Sequence, residues 1–215
     1  QPVQIGQTFF EGIPVVADFP TTVTTTATTL TTADVTGKGL AGRLLTGGTA
    51  ATTRQGAVIL KTPPATPFSM AARFTVAGAA NGGFGLVLRN SSNARMLVMH
   101  GNLSSTPLAF SFQSWSALGT VNATIATIST GVSPPRYVAL GVASDGTVTA
   151  YWSQNGYHWE TAGTTTIATY LTAAGGSLDQ IGMWFYGPAS PSGEVNVTLV
   201  PYYADIGSVT PGTAL

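Results

Sequence analysis

Val138-Ala-Leu-Gly-Val-Ala-Ser-Asp-Gly-Thr-Val-Thr-Ala-Tyr-Trp-Ser-Gln-Asn-Gly-Tyr-His-Trp-Glu-Thr161 reads as three alternating strand patterns joined at two dipeptides, Asp145-Gly146 and Asn155-Gly156. Both dipeptides tolerate positive φ at the two central positions of a tight turn, so each predicts a hairpin. Two successive hairpins make an antiparallel meander. Working outward, the same period of two recurs between clusters of Gly, Pro, Asn and Ser. Phe68, Met70, Ala72 and Phe74 share one face of a predicted strand, and Phe84, Leu86 and Leu88 share one face of the next. Further strand patterns follow at Met96–Met99, Leu108–Phe112, Ile181–Tyr186 and Val195–Leu199. No stretch carries a capped 3.6-residue period, and no 20- to 50-residue repeat suggests a propeller or solenoid. The expected fold is therefore all-β: two stacked antiparallel sheets with alternate side chains filling the space between them.

The rest of the chain fits one large domain. Residues 1–17 carry apolar groups, Phe9-Phe10 and Ile13-Pro-Val-Val16, broken by Gly6, Gly12 and Pro14, and read as an extended arm, either an edge strand or a docking segment. Residues 18–207 are assigned to the sandwich and 208–215 to a tail. The threonine-dense run Thr21–Thr32 is low in complexity, yet threonine is β-branched, and an ordered, polar-faced strand is the favoured reading. Pro63-Pro64 and Pro134-Pro135 stand just before strand patterns, where a missing donor does least harm.

Charge is sparse. Asp, Glu, Lys and Arg make up 7% of the 215 residues, against about 25% in ordinary soluble domains. Eight basic and eight acidic residues cancel, so the electrostatic footprint of a nucleic-acid or anionic-membrane binder is missing. Mean hydropathy is positive at +0.26, but the apolar runs are far shorter than the roughly 20 residues that cross a bilayer. No membrane insertion is expected, and no signal peptide is visible at Gln1. The chain has no cysteine, which removes disulfides and thiolate metal sites and leaves folding to apolar packing.

With the strands in place, several short signatures fall in one order. Asp18-Phe19 opens the domain, and Gly56-Ala-Val-Ile-Leu-Lys61 leads to Pro64-Ala-Thr-Pro-Phe-Ser-Met-Ala-Ala-Arg-Phe74. Gly83-Phe-Gly-Leu-Val-Leu-Arg-Asn-Ser-Ser92 and Pro135-Arg-Tyr-Val-Ala-Leu140 follow, then Tyr151-Trp-Ser-Gln-Asn-Gly-Tyr-His-Trp159 and Ile181-Gly-Met-Trp-Phe-Tyr186. Over residues 18–207 this order resembles the concanavalin A-like, laminin-G-like jelly-roll domains of tailed-bacteriophage and prophage virion proteins, of the tail-fibre or receptor-facing type. The resemblance implies a lectin-like domain on the particle surface, assembled in the host cytoplasm with other virion proteins and facing a cell-surface glycan. The family's Ser-x-Asp-Gly-x-x-Trp pattern stands here as Ser153-Gln-Asn-Gly-Tyr-His-Trp159, with Asn155 keeping the turn chemistry but supplying no carboxylate. It implies a structural role for Trp159 behind its hairpin. A calcium site would need clustered oxygen ligands that include acids, and the sequence assembles none, so no metal or cofactor is expected.

The acids are Glu11, Asp18, Asp34, Asp145, Glu160, Asp179, Glu194 and Asp205. Retaining glycosidases need two carboxylates about 5 Å apart, which jelly-roll examples resemble by spacing acids at i and i+2 or i+5 along one strand; no two acids here are that close in sequence, and only separate strands could bring two together. His100 and His158 are solitary, with no zinc spacing, and no Gly-x-Ser-x-Gly elbow is present. Hence a non-enzymatic binder is expected. Sugar rings stack on aromatic faces while amides bond their hydroxyls, which points to Trp115, Tyr151, Trp152, Tyr157, Trp159, Trp184 and Tyr186. Alternation sorts them: with Val148, Ala150 and Trp152 inward, Tyr151 points outward, and with Ile181, Met183 and Phe185 inward, Trp184 and Tyr186 point outward. Trp115, in the polar loop Gln113-Ser-Trp-Ser116, is the expected exposed anchor. Asn90 and Arg89 join the candidates at the Asn90-Ser-Ser-Asn93 turn, where Arg89 and Arg95 could bind acidic groups.

Three readings stay open: a receptor-facing lectin, a capsid decoration or tail-assembly subunit whose outward aromatics are covered by neighbours, and a secreted carbohydrate-binding module. A neutral, hydroxyl-rich surface with an apolar arm suits permanent assembly, so a homo-oligomer is expected, a trimer if the chain belongs to a fibre.

Overall fold

The structure, a computed structural model, describes residues 15–26, 28–35, 39–46, 55–77, 82–102, 109–129, 137–156, 158–187 and 193–204. Two seven-stranded sheets make up the sandwich. The first runs β1 (Thr21–Thr24), β4 (Gln55–Lys61), β13 (Gln180–Gly187), β6 (Gly83–Arg89), β7 (Met96–Asn102), β8 (Ala109–Ala117), β9 (Thr120–Ser129). The second runs β12 (Glu160–Thr166), β11 (Thr147–Ser153), β10 (Tyr137–Val142), β5 (Phe68–Ala77), β14 (Gly193–Ala204), β3 (Gly39–Thr46), β2 (Thr28–Val35). Every neighbouring pair is antiparallel.

The predicted alternation sets the core. Phe84, Leu86, Leu88, Ile181, Met183 and Phe185 of the first sheet meet Phe68, Met70, Val138, Leu140, Val148 and Ala150 of the second. Gly42 of β3 leaves room for a knob from across the sandwich: a methyl there would stand 2.6 Å from the Phe185 ring. Phe19 seats in the same core, just beyond a single 3-10 turn, Val16–Asp18. The remainder of the arm, residues 1–14, and the tail lie outside the described residues.

The threonine run is ordered and splits in two. β1 sits at the edge of the first sheet and β2 at the edge of the second. At the crossover, Thr25 and Thr28 share a 2.8 Å hydroxyl hydrogen bond, and the Thr25 amide donates to Gly56 O at 2.9 Å. Threonine suits a strand with one wet face, which is what an edge provides.

The two expected hairpins form, with turns that differ from the expected tight pair. Between β10 and β11 the Gly146 amide donates to Ala143 O at 3.0 Å and the Ala143 amide to Thr147 O at 2.8 Å. Of the Asp145-Gly146 pair, only Gly146 takes positive φ, at +81°. This is a turn followed by a left-handed bulge residue, and Asp145 caps it by accepting from the Thr147 amide at 2.8 Å. These bonds hold the Asp145 carboxyl below its ordinary range. The Asn155-Gly156 connection is longer than expected: β11 ends at Ser153 and β12 starts at Glu160. Ser153 Oγ accepts from the Gly156 amide at 2.9 Å, and Asn155 Oδ1 accepts from the His158 amide at 3.0 Å. Side-chain bonds of this kind compete with the strand ladder and open the turn. Among the described residues one short helix, α1 (Ile167–Tyr170), departs from the all-strand expectation; Thr166 Oγ1 caps it, accepting from the Thr169 amide at 3.1 Å.

Candidate functional site

The first sheet is apolar on both faces. Its outward side carries Val58, Leu60, Val87, Met96, Val98, Trp115 and Trp184, all buried. Trp184 and Tyr186 do point away from the core, as alternation requires, and their rings stack in parallel with centroids 5.3 Å apart. Glycine at the outward positions of β6 makes the shelf beneath them: a methyl on Gly83 would stand 3.1 Å from Trp184 and 3.3 Å from Tyr186. His100 packs against Trp184 with centroids 4.9 Å apart, and its Nε2 pairs with Gln113 Oε1 at 2.9 Å.

Trp115 is the main correction. It is not an exposed loop anchor: it lies in β8, is 2% exposed, and packs against Trp184 with centroids 4.9 Å apart. The polar neighbours that suggested a loop are the other face of a bulged strand. The ladder between β8 and β9 slips at three places around Gln113–Ala117, and such bulges bend a hairpin sharply. The bend folds the β8–β9 turn over the sheet and carries Leu118 to Gly56 of β4, with β13, β6 and β7 between the two strands. Leu118 and Val121 pack on the aromatic cluster from above, Val23 of β1 from the side.

Tyr151 sits on the outward face of the second sheet, on the opposite side of the molecule, half-buried beside Trp159, Tyr137, Ala71 and Ala139. Trp159 has the structural role that the resemblance implied: it is buried behind the hairpin loop, and Nε1 donates to Gly156 O at 3.1 Å. Trp152 packs on the inter-sheet core. Tyr157 lies outside the described residues.

Asn90 is also corrected. Rather than facing a ligand, it is fully buried and clamps two loops together. Its Nδ2 donates to Leu171 O and Gly175 O, both at 2.9 Å, while Oδ1 accepts from the Ser92 amide at 3.1 Å and from Ser92 Oγ at 2.7 Å. Asn93 donates to the same two carbonyls, each at 2.9 Å, with its own Oδ1 accepting from the Arg95 amide at 3.0 Å. Two NH2 groups thus serve two carbonyls, and the amide oxygens are committed elsewhere, so the square is a hydrogen-bonded clasp rather than a cation cage. Asn90→Ala is expected to lower the unfolding free energy by about 1–3 kcal/mol, because the Ser92 amide and hydroxyl lose their acceptor and Leu171 O and Gly175 O are left with Asn93 alone, measurable by urea denaturation.

Among the sequence candidates, Arg89 lines an open cleft. An open cleft of about 480 Å3 lies between β1 and the β8–β9 turn, lined by Val23, Thr24, Thr25, Thr26 and Gln55 on one side. Ala117, Leu118, Gly119 and Thr120 form the other side, with Arg89 and Ala94 between. Arg89 ends β6 on its outward face, half-buried, and Nη1 donates to Gln180 Oε1. Burial lowers its pKa from the ordinary guanidinium range and nearby Asp179 pulls it back up. Asp179 itself is tied to the β6–β7 turn, accepting from the Ser91 amide at 2.9 Å and from the Ser91 hydroxyl. Sequence reasoning missed the other lining residues. The threonines were read only as strand formers, and Leu118-Gly119-Thr120 carries no periodic signal.

No protein-family model matches the chain, and no curated protein does. Solved structures match through the fold. A functionally unknown protein from Saccharomyces cerevisiae superposes with a TM-score of 0.58 at 11% identity, covering 91% of this chain and 100% of that one. The GH43 protein BlXynB from Bacillus licheniformis, as its K247S mutant, gives a TM-score of 0.55 at 16% identity over 87% of this chain, which spans 39% of that protein's length. The carbohydrate binding module CBM66 from Bacillus subtilis gives a TM-score of 0.50 at 12% identity, covering 84% of this chain and 96% of that one. At such identities the likeness concerns architecture: this chain has the lectin-type, jelly-roll β-sandwich fold.

Proposed function

We propose that the chain is a non-enzymatic carbohydrate-binding domain, carried on the surface of a bacteriophage particle as part of a homo-oligomer, which meets host-cell glycan in the cleft between β1 and the β8–β9 turn. The observation that carries the binding reading is the cleft lining. Threonine hydroxyls, the Gln55 amide and one guanidinium stand among the small apolar surfaces of Val23, Ala94, Ala117 and Leu118. Few convergent polar groups on an apolar wall suit a polyhydroxylated ligand. Among the described residues no carboxylate lines the cleft, and glycoside hydrolysis runs on two, so retention rather than cleavage fits the site. A fold shared with a carbohydrate binding module agrees with this. The virion setting rests on the order of sequence signatures and the charge-poor surface.

The structural-subunit reading gains from one observation. Trp115 and Trp184 are sealed inside the chain itself, so neither offers a platform for a sugar ring.

A glycan-array screen of the purified domain beside Thr24→Tyr separates the two. Thr24 is exposed on the cleft wall, so the larger side chain adds bulk there without disturbing a buried contact. Selective binding that falls at least about tenfold in the variant, with its melting temperature unchanged, supports the cleft. No binding by the folded domain overturns the proposal in favour of a structural subunit.

A further inference from the structure

We infer that the cleft selects an acidic sugar, a uronate-type residue whose carboxylate meets Arg89. This inference rests on the carbohydrate-binding reading of the same cleft. Among the eleven described lining residues Arg89 alone is charged. Its described hydrogen bond goes to neutral Gln180, so the cation is oriented by an amide that takes up no charge. The neighbouring acid, Asp179, lies outside the described lining with both oxygens engaged by Ser91, so it acts on Arg89 through its charge, which helps keep the guanidinium protonated, and not through a described hydrogen bond. A guanidinium has five donors in a fixed fork, and Gln180 engages one nitrogen of it. The remaining edge suits a planar carboxylate, which it can grip through two parallel bonds. Half-burial at the end of a central strand holds that fork still and weakens the screening that water gives a fully exposed arginine.

The surroundings sharpen the choice. Net charge is zero and only 7% of residues are Asp, Glu, Lys or Arg, so no general positive field draws polyanions to the surface. Selection for an acid has to be local. Thr24, Thr26 and Thr120 are exposed on the cleft's walls, placed to bond ring hydroxyls, whereas Thr25 is taken up by Thr28 and Gly56. The pattern is a hydroxyl-reading cleft with one carboxylate-reading corner.

The test uses the whole chain with two probes of equal chain length, the trimer of galacturonic acid and its fully methyl-esterified form, measured by calorimetry at low and high salt, with Arg89→Gln and Arg89→Lys alongside. The expected result is tighter binding of the acid by about tenfold or more, the yield of a charge-assisted hydrogen bond. That preference should vanish in Arg89→Gln, be recovered in part in Arg89→Lys, and weaken with salt. Equal binding of acid and ester, unchanged in Arg89→Gln, would overturn the inference while leaving the carbohydrate-binding reading intact. No binding of either probe, together with an empty glycan array, would overturn both. Because Arg89→Gln keeps the unfolding midpoint as a folding control, loss of preference in a melted variant would be recognised, and Arg89→Lys would then decide.

Discussion

Trp184→Ala is expected to lower the unfolding free energy by about 3–5 kcal/mol, the range for deleting a large aromatic from a closed core. Trp184 is 1% exposed and sits at the centre of a cluster in which Trp115, His100 and Tyr186 all touch its ring. Rigid sheet lies below and the folded-over hairpin above, so the cavity has little freedom to collapse. Trp184 Nε1 is buried without a hydrogen-bond partner among the described residues. Trp184→Phe removes that orphaned donor while keeping most of the ring, so it should retain far more stability than the alanine variant. Urea denaturation of both variants checks this. If alanine proves nearly neutral, the ring is not packed as described. Taken from sequence alone, Trp184→Ala would have served as a test of sugar binding; the packing makes it a test of folding, and a loss of binding in it would say nothing about a site.

Gly182→Ala is the second large effect, expected to cost about 3 kcal/mol or more, at the top of the range for overpacking a buried position. Gly182 lies in β13 between β4 and β6, paired with Leu60 on one side and Val87 on the other. A methyl there would stand 1.9 Å from Ile59 O and 2.9 Å from Ile59 C, which are backbone atoms held in the ladder. No rotamer change relieves that clash, so the strands must part. Gly175→Ala is the internal control. Gly175 has φ +88° and nothing within 4 Å of the added methyl, so it pays only the left-handed conformational cost, about 1–2 kcal/mol. Thermal melts that ranked the two equally would contradict this account of β13.

Much of the fold was legible because strand alternation is a local property. The inward sets at Phe68–Ala72, Phe84–Leu88 and Ile181–Phe185, and the outward turn of Trp184, Tyr186 and Tyr151, follow from the period of two. What alternation cannot report is what covers an outward side chain. Trp115 looked exposed because Ser114 and Ser116 flank it, yet the burial of Trp115 depends on bulges in β8 and on a sheet edge that curls toward β1. Asn90 looked like a sugar ligand because its turn is polar, while its partners Leu171 and Gly175 lie some eighty positions along the chain. The cleft was illegible for the same reason: its walls, Thr24–Thr26 and Ala117–Thr120, meet only after the hairpin has folded over. Arg89 was visible because a charge is conspicuous in a chain that has so few.

The first sheet, screened from water on both faces, also sets the route by which solvent can enter the molecule. β4, β6 and β13 are buried along nearly their whole length, so attack on their ladders has to begin at the flanks. Those flanks are β1 and β9, rich in threonine and partly wet. Opening therefore runs inward from the hydroxyl-bearing margins, one ladder at a time, and the least stable rungs of the sheet are the strands that border the cleft. Anything bound there would brace the margin at which unzipping starts.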